Sequence, residues 1–228
     1  NYKSGELIVL DVPAPSCRPG GVLVRSLFSL ISTGTEMMKL TEAKLSMVGK
    51  ARARPDQLKK VLDSVTQQGA VSTYKKVMNR LDSYTPLGYS LCGVVVEVGN
   101  QVIGVKPGQR VYVNPLRSCG ACQMCQAGER TRCRYFTFNG YFGFGPDAQR
   151  IYDLYPYGGF CEFMTAPQYA LVRLPDSVSF EQAARFGYLG TSFGAMKKAN
   201  AVAGQAMLVD GISGTLGLGA ALLGLAMG

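Results

Sequence analysis

Four of the seven cysteines lie close together, in the spacing C-x2-C-x2-C-x7-C. As thiolates, four such residues can bind one Zn²⁺ in a tetrahedron at about 2.3 Å each, and a site filled by four protein ligands is structural. The alternative to a zinc site is that these cysteines form disulfides or remain free thiols. Disulfides within this stretch would close very short rings, which disfavours them. We expect one structural zinc per chain, in a lobe over residues 114–135, bound by Cys119, Cys122, Cys125 and Cys133.

Composition places the chain among globular proteins. Hydrophobic residues make up 47% of the 228 residues, charged residues 17%, and the mean hydropathy is +0.08. No uncharged apolar run of about 18 residues and no basic-then-apolar leader is seen, so we expect a cytoplasmic location. The chain has no histidine, which excludes a Ser-His-Asp triad and an HExxH zinc site. Cys17, Cys92 and Cys161 are expected to be small core residues.

The sequence changes at residue 37 from predicted strands to a basic region with helical spacing. Strands are predicted at residues 7–12 and 21–31. Residues 37–83 then hold ten basic and four acidic residues, which is +6 of the net charge of +9. Apolar spacing predicts one helix from Pro55 to the stop at Gly69 and a second capped by Ser72 or Thr73. The basic residues form either ordinary solvated helix faces or contacts to a phosphate of a substrate or cofactor.

Further elements follow the basic region. Val-rich segments predict strands within residues 86–113, and strands resume at residues 159–165 and 169–174. Ser179 and Gln182 have the spacing of a capping box at a helix start. A strand at residues 206–210, a glycine-rich turn and an apolar helix reaching Gly228 complete the pattern.

The glycine-rich turn carries Gly211, Gly214 and Gly217 between the predicted strand and helix. In that context backbone N–H groups and a helix N-terminus can bind the pyrophosphate of a dinucleotide. The pattern is G-x-x-G-x-x-G, and a purely structural turn is the alternative. The acidic residue that reads the ribose would lie about 20 residues further on, past residue 228, so NAD and NADP are not distinguished.

Several motifs in order resemble the medium-chain dehydrogenase/reductase superfamily, which includes the zinc alcohol dehydrogenase-like and quinone reductase-like enzymes. They are GYSLCGVVVEVGNQVIGVKPGQRVYV, the four-cysteine lobe, GGFCEFMTAP, LPDSVSFEQAA and the strand-glycine-helix end. STGTE, followed by the basic region, resembles the branch of bi-domain oxidoreductases and bacteriochlorophyllide dehydrogenase-like proteins. The resemblance implies an α/β fold class, α+β overall. A GroES-like β-barrel catalytic domain would span residues 1–175, with a helical basic insert at 37–83, and the truncated start of a Rossmann domain would span 176–228.

The chain departs from the catalytic-zinc members of this superfamily at the ligand positions. Those members carry a Cys, a His-Glu pair and a later Cys, whereas this chain has Ser32, the block Gly88-Tyr89-Ser90, and a third position near Phe186-Gly187. None of these is a good zinc ligand, so a catalytic zinc is not expected.

The candidate site residues are hydroxyl-bearing side chains and glycines. Catalytic candidates are Tyr89, Ser32 and Thr35. The alternative for Ser32 and Thr35 is that their hydroxyls satisfy a turn, and the alternative for Tyr89 is that it packs as an aromatic. Cofactor-binding candidates are Gly211, Gly214, Thr215, Gly217 and Thr191. Thr191 resembles the family threonine near the nicotinamide, and helix packing is its alternative.

The resemblance implies an NAD(P)-dependent oxidoreductase that transfers hydride to or from a carbonyl or conjugated alkene without catalytic zinc. Alternatives are a non-catalytic, zinc-stabilised binding or scaffold protein, and a zinc-dependent alcohol dehydrogenase with unusual ligands. We expect a small-molecule substrate, no nucleic-acid or membrane partner, and either a homo-oligomer or a missing C-terminal half.

Overall fold

The computed structural model describes residues 1–53, 55–140, 142–143 and 145–228, and the side chains at 56, 142 and 143 lie outside the description. The fold is mixed α/β, as the sequence predicts. The strands are β1 (Gly21–Leu30), β2 (Ser90–Val98), β3 (Arg110–Val113), β4 (Leu116–Arg117), β5 (Thr137–Phe138), β6 (Phe142–Gly143), β7 (Phe163–Pro167) and β8 (Leu171–Arg173). The α-helices are α1 (Thr33–Lys44), α2 (Met47–Ala53), α3 (Pro55–Gln68), α4 (Ala70–Asp82), α5 (Gln123–Gln126), α6 (Gln149–Leu154), α7 (Phe180–Ala183), α8 (Phe186–Lys198) and α9 (Thr215–Met227).

A five-stranded antiparallel sheet forms the centre of the molecule, in the order β7-β1-β2-β3-β8. A smaller sheet has the order β4-β5-β6. Two register shifts interrupt the pairing of β1 with β2, and such bulges bend and twist a strand. The core of the large sheet consists of buried aliphatic residues: Val22, Val24, Leu91, Val95, Val111, Val113, Met164 and Ala166.

The basic region is helical, with α1 to α4 covering residues 33–82 apart from their short connections. The predicted helix after Pro55 is present as α3. The predicted cap of the next helix is wrong, because α4 begins at Ala70 with Gly69 as its N-cap. Gly69 has φ +83°, which ends α3 and redirects the chain at once. Thr73 is buried instead, and its hydroxyl donates to Ser64 Oγ at 3.3 Å.

Two predicted strands do not form. Residues 7–12 and 206–210 have no strand assignment, and Val9 is 99% exposed and Leu208 96% exposed. Alternating or apolar sequence predicts a strand only if a neighbouring strand supplies hydrogen bonds, and neither segment has one in the described parts of the chain. Two other predicted strands form, but with different bounds. The strand predicted at 159–165 forms as β7, and the one predicted at 169–174 shortens to β8 after a 3₁₀ turn at Gln168–Ala170.

The C-terminal elements are three helices in succession. The predicted capping box is confirmed at α7, where Ser179 Oγ accepts from the Gln182 N–H and the Gln182 side chain accepts from the Ser179 N–H. α8 and α9 pack on each other, and Ser192 Oγ donates to Leu216 O at 2.8 Å across their contact. Of the helices in the described ranges, none has the length and apolar character to cross a membrane.

Candidate functional site

The four clustered cysteines converge in the structure on one small volume. All four sulfur atoms lie within 4.8 Å of one another. The Sγ of Cys119 is 3.9 Å from that of Cys125 and 3.6 Å from that of Cys133. A tetrahedron with 2.3 Å metal–sulfur bonds has edges of about 3.8 Å. The donor set therefore fits a tetrahedral thiophilic metal such as Zn²⁺.

The local backbone builds this cluster and stabilises its thiolates. Gly120 and Gly128 have φ +76° and +82°, the left-handed conformations needed for the tight turns around the short helix α5. The N–H of Cys122 points at Cys119 Sγ (3.4 Å), and the N–H of Tyr135 points at Cys133 Sγ (3.3 Å). Desolvation opposes ionisation of Cys119, but backbone N–H donors and the neighbouring thiols of Cys133 and Cys122 lower its pKa to about 7, whereas burial and the thiols of Cys119 and Cys125 raise the pKa of Cys133 to about 12. Such donors favour thiolates and orient metal ligands.

The other three cysteines lie apart from this cluster. Cys92 is fully buried, and Cys17 and Cys161 are half-buried. Burial raises the pKa of Cys92 and of Cys161 to about 11, so both stay protonated at neutral pH. A raised pKa lowers the fraction of reactive thiolate at both positions.

Tyr89 directly precedes β2 and contacts a second tyrosine, Tyr188 of α8. Its hydroxyl is 3.2 Å from the hydroxyl of Tyr188, and the two rings pack edge to face at 6.2 Å. The side chains are 7% and 8% exposed. Burial raises the pKa of the Tyr188 phenol, and the neighbouring hydroxyl of Tyr89 and the Glu36 carboxyl raise it further. The Tyr188 phenol is therefore neutral at physiological pH.

Ser32 and Thr35 extend this pair into a chain of hydroxyls. Ser32 is the N-cap of α1, and its Oγ accepts from the N–H of Thr35 at 3.3 Å. The Ser32 hydroxyl also donates to Thr35 Oγ1 at 3.0 Å, and Ser32 lies close enough to Tyr188 to lower the pKa of that phenol in part. The turn role considered for Ser32 is therefore present, as the N-cap of α1. We call Tyr89, Tyr188, Ser32 and Thr35 the hydroxyl cluster.

Apolar side chains enclose the tyrosine pair. Leu30, Leu87 and Phe138 pack against it, and the Phe138 ring lies 4.9 Å from that of Tyr89. Gly187, at the third ligand position named above, faces Tyr112, and a Cβ there would lie 2.8 Å from the Tyr112 hydroxyl. The Tyr112 hydroxyl therefore lies against this position.

The glycine turn precedes α9 and has the shape of a backbone cradle. Gly211 has φ +72°, and Gly214 is the N-cap of α9. A Cβ on Gly217 would overlap the carbonyl oxygen of Gly211 and lie 2.8 Å from Ile212 Cα, so only glycine fits there. The N-terminal N–H groups of a helix have no partner within the helix, and Thr215 is the first residue of α9. This arrangement fits an anionic phosphate group.

Helix α8 connects the two halves of the candidate site. Tyr188 belongs to the hydroxyl cluster, and Thr191, one turn later, lines the groove between α8 and α9 beside Leu216 and Gly217. The Thr191 hydroxyl donates to Gly187 O at 2.8 Å, which is a contact within its own helix.

Sequence reasoning missed two residues of this site, Tyr188 and Glu36. The signal available for Tyr188 was its position three residues before Thr191, which is one helical turn. Glu36 lies in STGTE but was not singled out. Glu36 is 5% exposed, and burial raises the pKa of its carboxyl, whereas the backbone N–H groups of Glu36 and Ser32 and the Lys39 ammonium lower it.

The alcohol dehydrogenase GroES-like domain model matches residues 62–176, which is half of the chain. The chain belongs to the medium-chain dehydrogenase/reductase superfamily.

Individual relatives agree with this assignment. The chain is 32% identical over 132 residues to "Probable D-xylulose reductase A" of Aspergillus fumigatus, a match covering 58% of this chain and 33% of that protein. It is 33% identical over 137 residues to L-threonine 3-dehydrogenase of Legionella pneumophila, covering 60% and 36%. A cobalt- and zinc-bound thermostable alcohol dehydrogenase from Pyrobaculum aerophilum superposes with a TM-score of 0.67 at 20% identity, over 97% of this chain and 53% of that one. The chain thus spans about half the length of this solved relative, and its matches cover about a third of the curated ones.

Proposed function

We propose that this protein is an NAD(P)-dependent oxidoreductase that reduces a carbonyl or conjugated alkene, with a tyrosine hydroxyl in place of a catalytic zinc as the polarising group. The observation that carries the proposal is the hydroxyl cluster, in which Tyr89 and Tyr188 meet at 3.2 Å inside an apolar wall. Hydroxyls and phenols are poor zinc ligands compared with Cys and His. They are effective hydrogen-bond donors to a substrate oxygen on which negative charge develops.

The candidate site residues have separate roles in this proposed reaction. When bound, a reduced nicotinamide coenzyme supplies the hydride. The glycine turn and Thr215, at the N-terminus of α9, bind its phosphates. Thr191 lies on the groove beside that turn, and we assign it to the nicotinamide end of the coenzyme. Tyr89 donates its proton to the substrate oxygen, and Leu30 and Phe138 keep water away from the developing charge.

The hydrogen-bond donors of the hydroxyl cluster also favour one class of substrate. Without a Lewis acid, charge that develops in the transition state is stabilised only by hydrogen bonds. An enone or quinone spreads that charge over a conjugated system, whereas a simple ketone concentrates it on one oxygen. We therefore propose an enone or quinone type of substrate.

The four-cysteine lobe has a structural task in the same proposal. With four thiolates bound, a zinc ion has no open coordination position for substrate. We propose that it holds residues 119–133 in place through Cys119, Cys122, Cys125 and Cys133. The metal is thereby separate from the reacting groups.

The test compares substrates and variants of the full-length protein. NADH and NADPH oxidation is followed with a cyclic enone, a quinone, a simple ketone, and a primary alcohol in the reverse direction. The proposal expects turnover of the conjugated substrates and a loss of about 100-fold in kcat in Tyr89→Phe. Tyr157→Phe, which removes a hydroxyl bonded to Pro13 O, is the control and keeps its rate. Alcohol oxidation that is unaffected by Tyr89→Phe refutes the proposal.

A further inference from the structure

Helices α3 and α4 expose apolar side chains to solvent. They are Leu58 and Leu62 on α3 and Val71 and Tyr74 on α4, and their exposed fractions range from 41% to 72%. The members of each pair are four or three residues apart, so each pair lies on one face of its helix. The two helices also pack on each other. Exposed apolar residues that are grouped in this way, rather than scattered, mark an interaction site.

Four lysines accompany these apolar residues. Lys59 and Lys60 belong to α3, and Lys75 and Lys76 belong to α4. All four are exposed, and none of them forms an ion pair with a side chain that the structure describes. The surrounding residues 37–83 carry a net charge of +6. We call the four lysines and the four apolar residues the insert surface.

The composition of the insert surface favours an anionic lipid bilayer as its partner. Helices with an apolar face and a lysine-rich polar face bind in the interface of a bilayer, where lysines are attracted to anionic lipids. Interfaces between proteins, by contrast, are depleted in lysine. A second copy of this chain is disfavoured as well, because two basic surfaces would be brought together.

We propose that the insert surface docks this protein on the surface of an anionic lipid bilayer. Leu58, Leu62 and Tyr74 enter the headgroup layer, and the lysines contact the lipid phosphates. The expectation of no membrane partner rested on spanning segments, and contact with a bilayer surface requires none. The docking does not depend on the proposed reaction, and the measurements below do not use turnover.

The first measurement is flotation of the full-length protein with vesicles at about 0.1 M salt. One set of vesicles is phosphatidylcholine alone, and the other holds phosphatidylcholine and phosphatidylglycerol in equal parts. The wild type is expected to float with the mixed vesicles only. The double variant Lys59→Gln/Lys60→Gln should lower the partition coefficient about 10-fold or more, because each lysine near an anionic surface contributes about 5-fold.

The matched control removes the same charge from another helix. Lys197 and Lys198 are an adjacent, exposed pair in the last turn of α8. Lys197→Gln/Lys198→Gln should float as the wild type does. If both double variants lose binding equally, or if the wild type does not float with the mixed vesicles, the proposal is overturned.

A single-residue variant separates apolar insertion from charge. Leu62→Gln keeps every lysine and replaces an exposed side chain, so its helical circular dichroism should match that of the wild type. It should lower the partition coefficient about 5-fold or more, since a leucine leaves the headgroup layer. If Leu62→Gln floats as the wild type does, or if soluble polyglutamate binds the wild type as tightly as the mixed vesicles do, charge alone holds the contact and the docking is overturned.

A fluorescent reporter tests which residues enter the bilayer. This chain has no tryptophan, so Tyr74→Trp adds a new signal, read as the difference from wild type. Phe193→Trp, at an exposed aromatic position of α8, is its control. Mixed vesicles should shift the emission of Tyr74→Trp to shorter wavelength and leave that of Phe193→Trp unchanged. If Tyr74→Trp emits at the shorter wavelength before vesicles are added, another part of the protein or a second copy covers the surface, and the proposal is overturned.

Discussion

Replacing Gly217 with alanine tests the shape of the glycine turn. The new Cβ would overlap Gly211 O and lie 2.8 Å from both Gly211 C and Ile212 Cα. All of these are backbone atoms, so no side-chain rotation can relieve the overlap, and the turn and α9 must move apart. Overpacking of this kind costs about 2 kcal/mol. In a protein of this size, that lowers the Tm by about 4–8 °C.

The matched control lies on the neighbouring helix. Gly190 is in the interior of α8, and a Cβ there would meet nothing within 4 Å. Gly190→Ala should therefore stabilise the helix by about 1 kcal/mol and raise the Tm by about 2–4 °C. Both variants are melted by circular dichroism, and phosphate-bearing coenzyme is titrated by calorimetry. Gly217→Ala should bind coenzyme more weakly, and Gly190→Ala should bind it as wild type does. If Gly217→Ala melts at the wild-type temperature, the geometry of the turn is refuted.

Three further predictions concern the cysteine lobe and the hydroxyl cluster. Cys125→Ser should release its metal at a lower chelator concentration than wild type, because one of four thiolates is lost; equal retention, measured with a zinc-sensitive dye, would exclude Cys125 as a ligand. Tyr188→Phe should lose about 1 kcal/mol of stability in urea, since it removes a buried hydrogen bond with Tyr89, and an unchanged midpoint would contradict that bond. Burial raises the pKa of Glu36 in the folded protein. The contribution of Glu36 to the free energy of unfolding is therefore full at low pH and is lost as the pH rises through that pKa. Glu36→Gln should therefore be more stable than wild type at about pH 8 and equal to it at about pH 4, and thermal melts showing the opposite order would refute its burial.

Features set by neighbouring residues could be predicted from the sequence. The capping box at α7 depends on residues three apart, and its two hydrogen bonds form as predicted. The helix from Pro55 and the helix after the glycine turn follow from local apolar spacing and from glycine. The sulfur cluster likewise comes from four cysteines within one loop, and the spacing alone indicates the tetrahedral donor set.

Features that depend on distant partners were harder to predict. The segments at residues 7–12 and 206–210 have strand-like sequences, but a strand also requires a hydrogen-bonded neighbour, which local pattern does not reveal. The pairing of Tyr89 with Tyr188 spans 99 residues, and helix α8 brings the second tyrosine to the first. Glu36 was missed for a related reason, because its burial depends on packing by remote parts of the chain.

The zinc content of the active full-length enzyme tests the central claim most directly. Metal is quantified by mass spectrometry on protein purified without added metal, and turnover of an enone is measured on the same sample. The account predicts one zinc per chain, bound by the four-cysteine lobe, and a rate that depends on the Tyr89 hydroxyl. Two zinc ions per chain, with alcohol oxidation in proportion to the second, would contradict it.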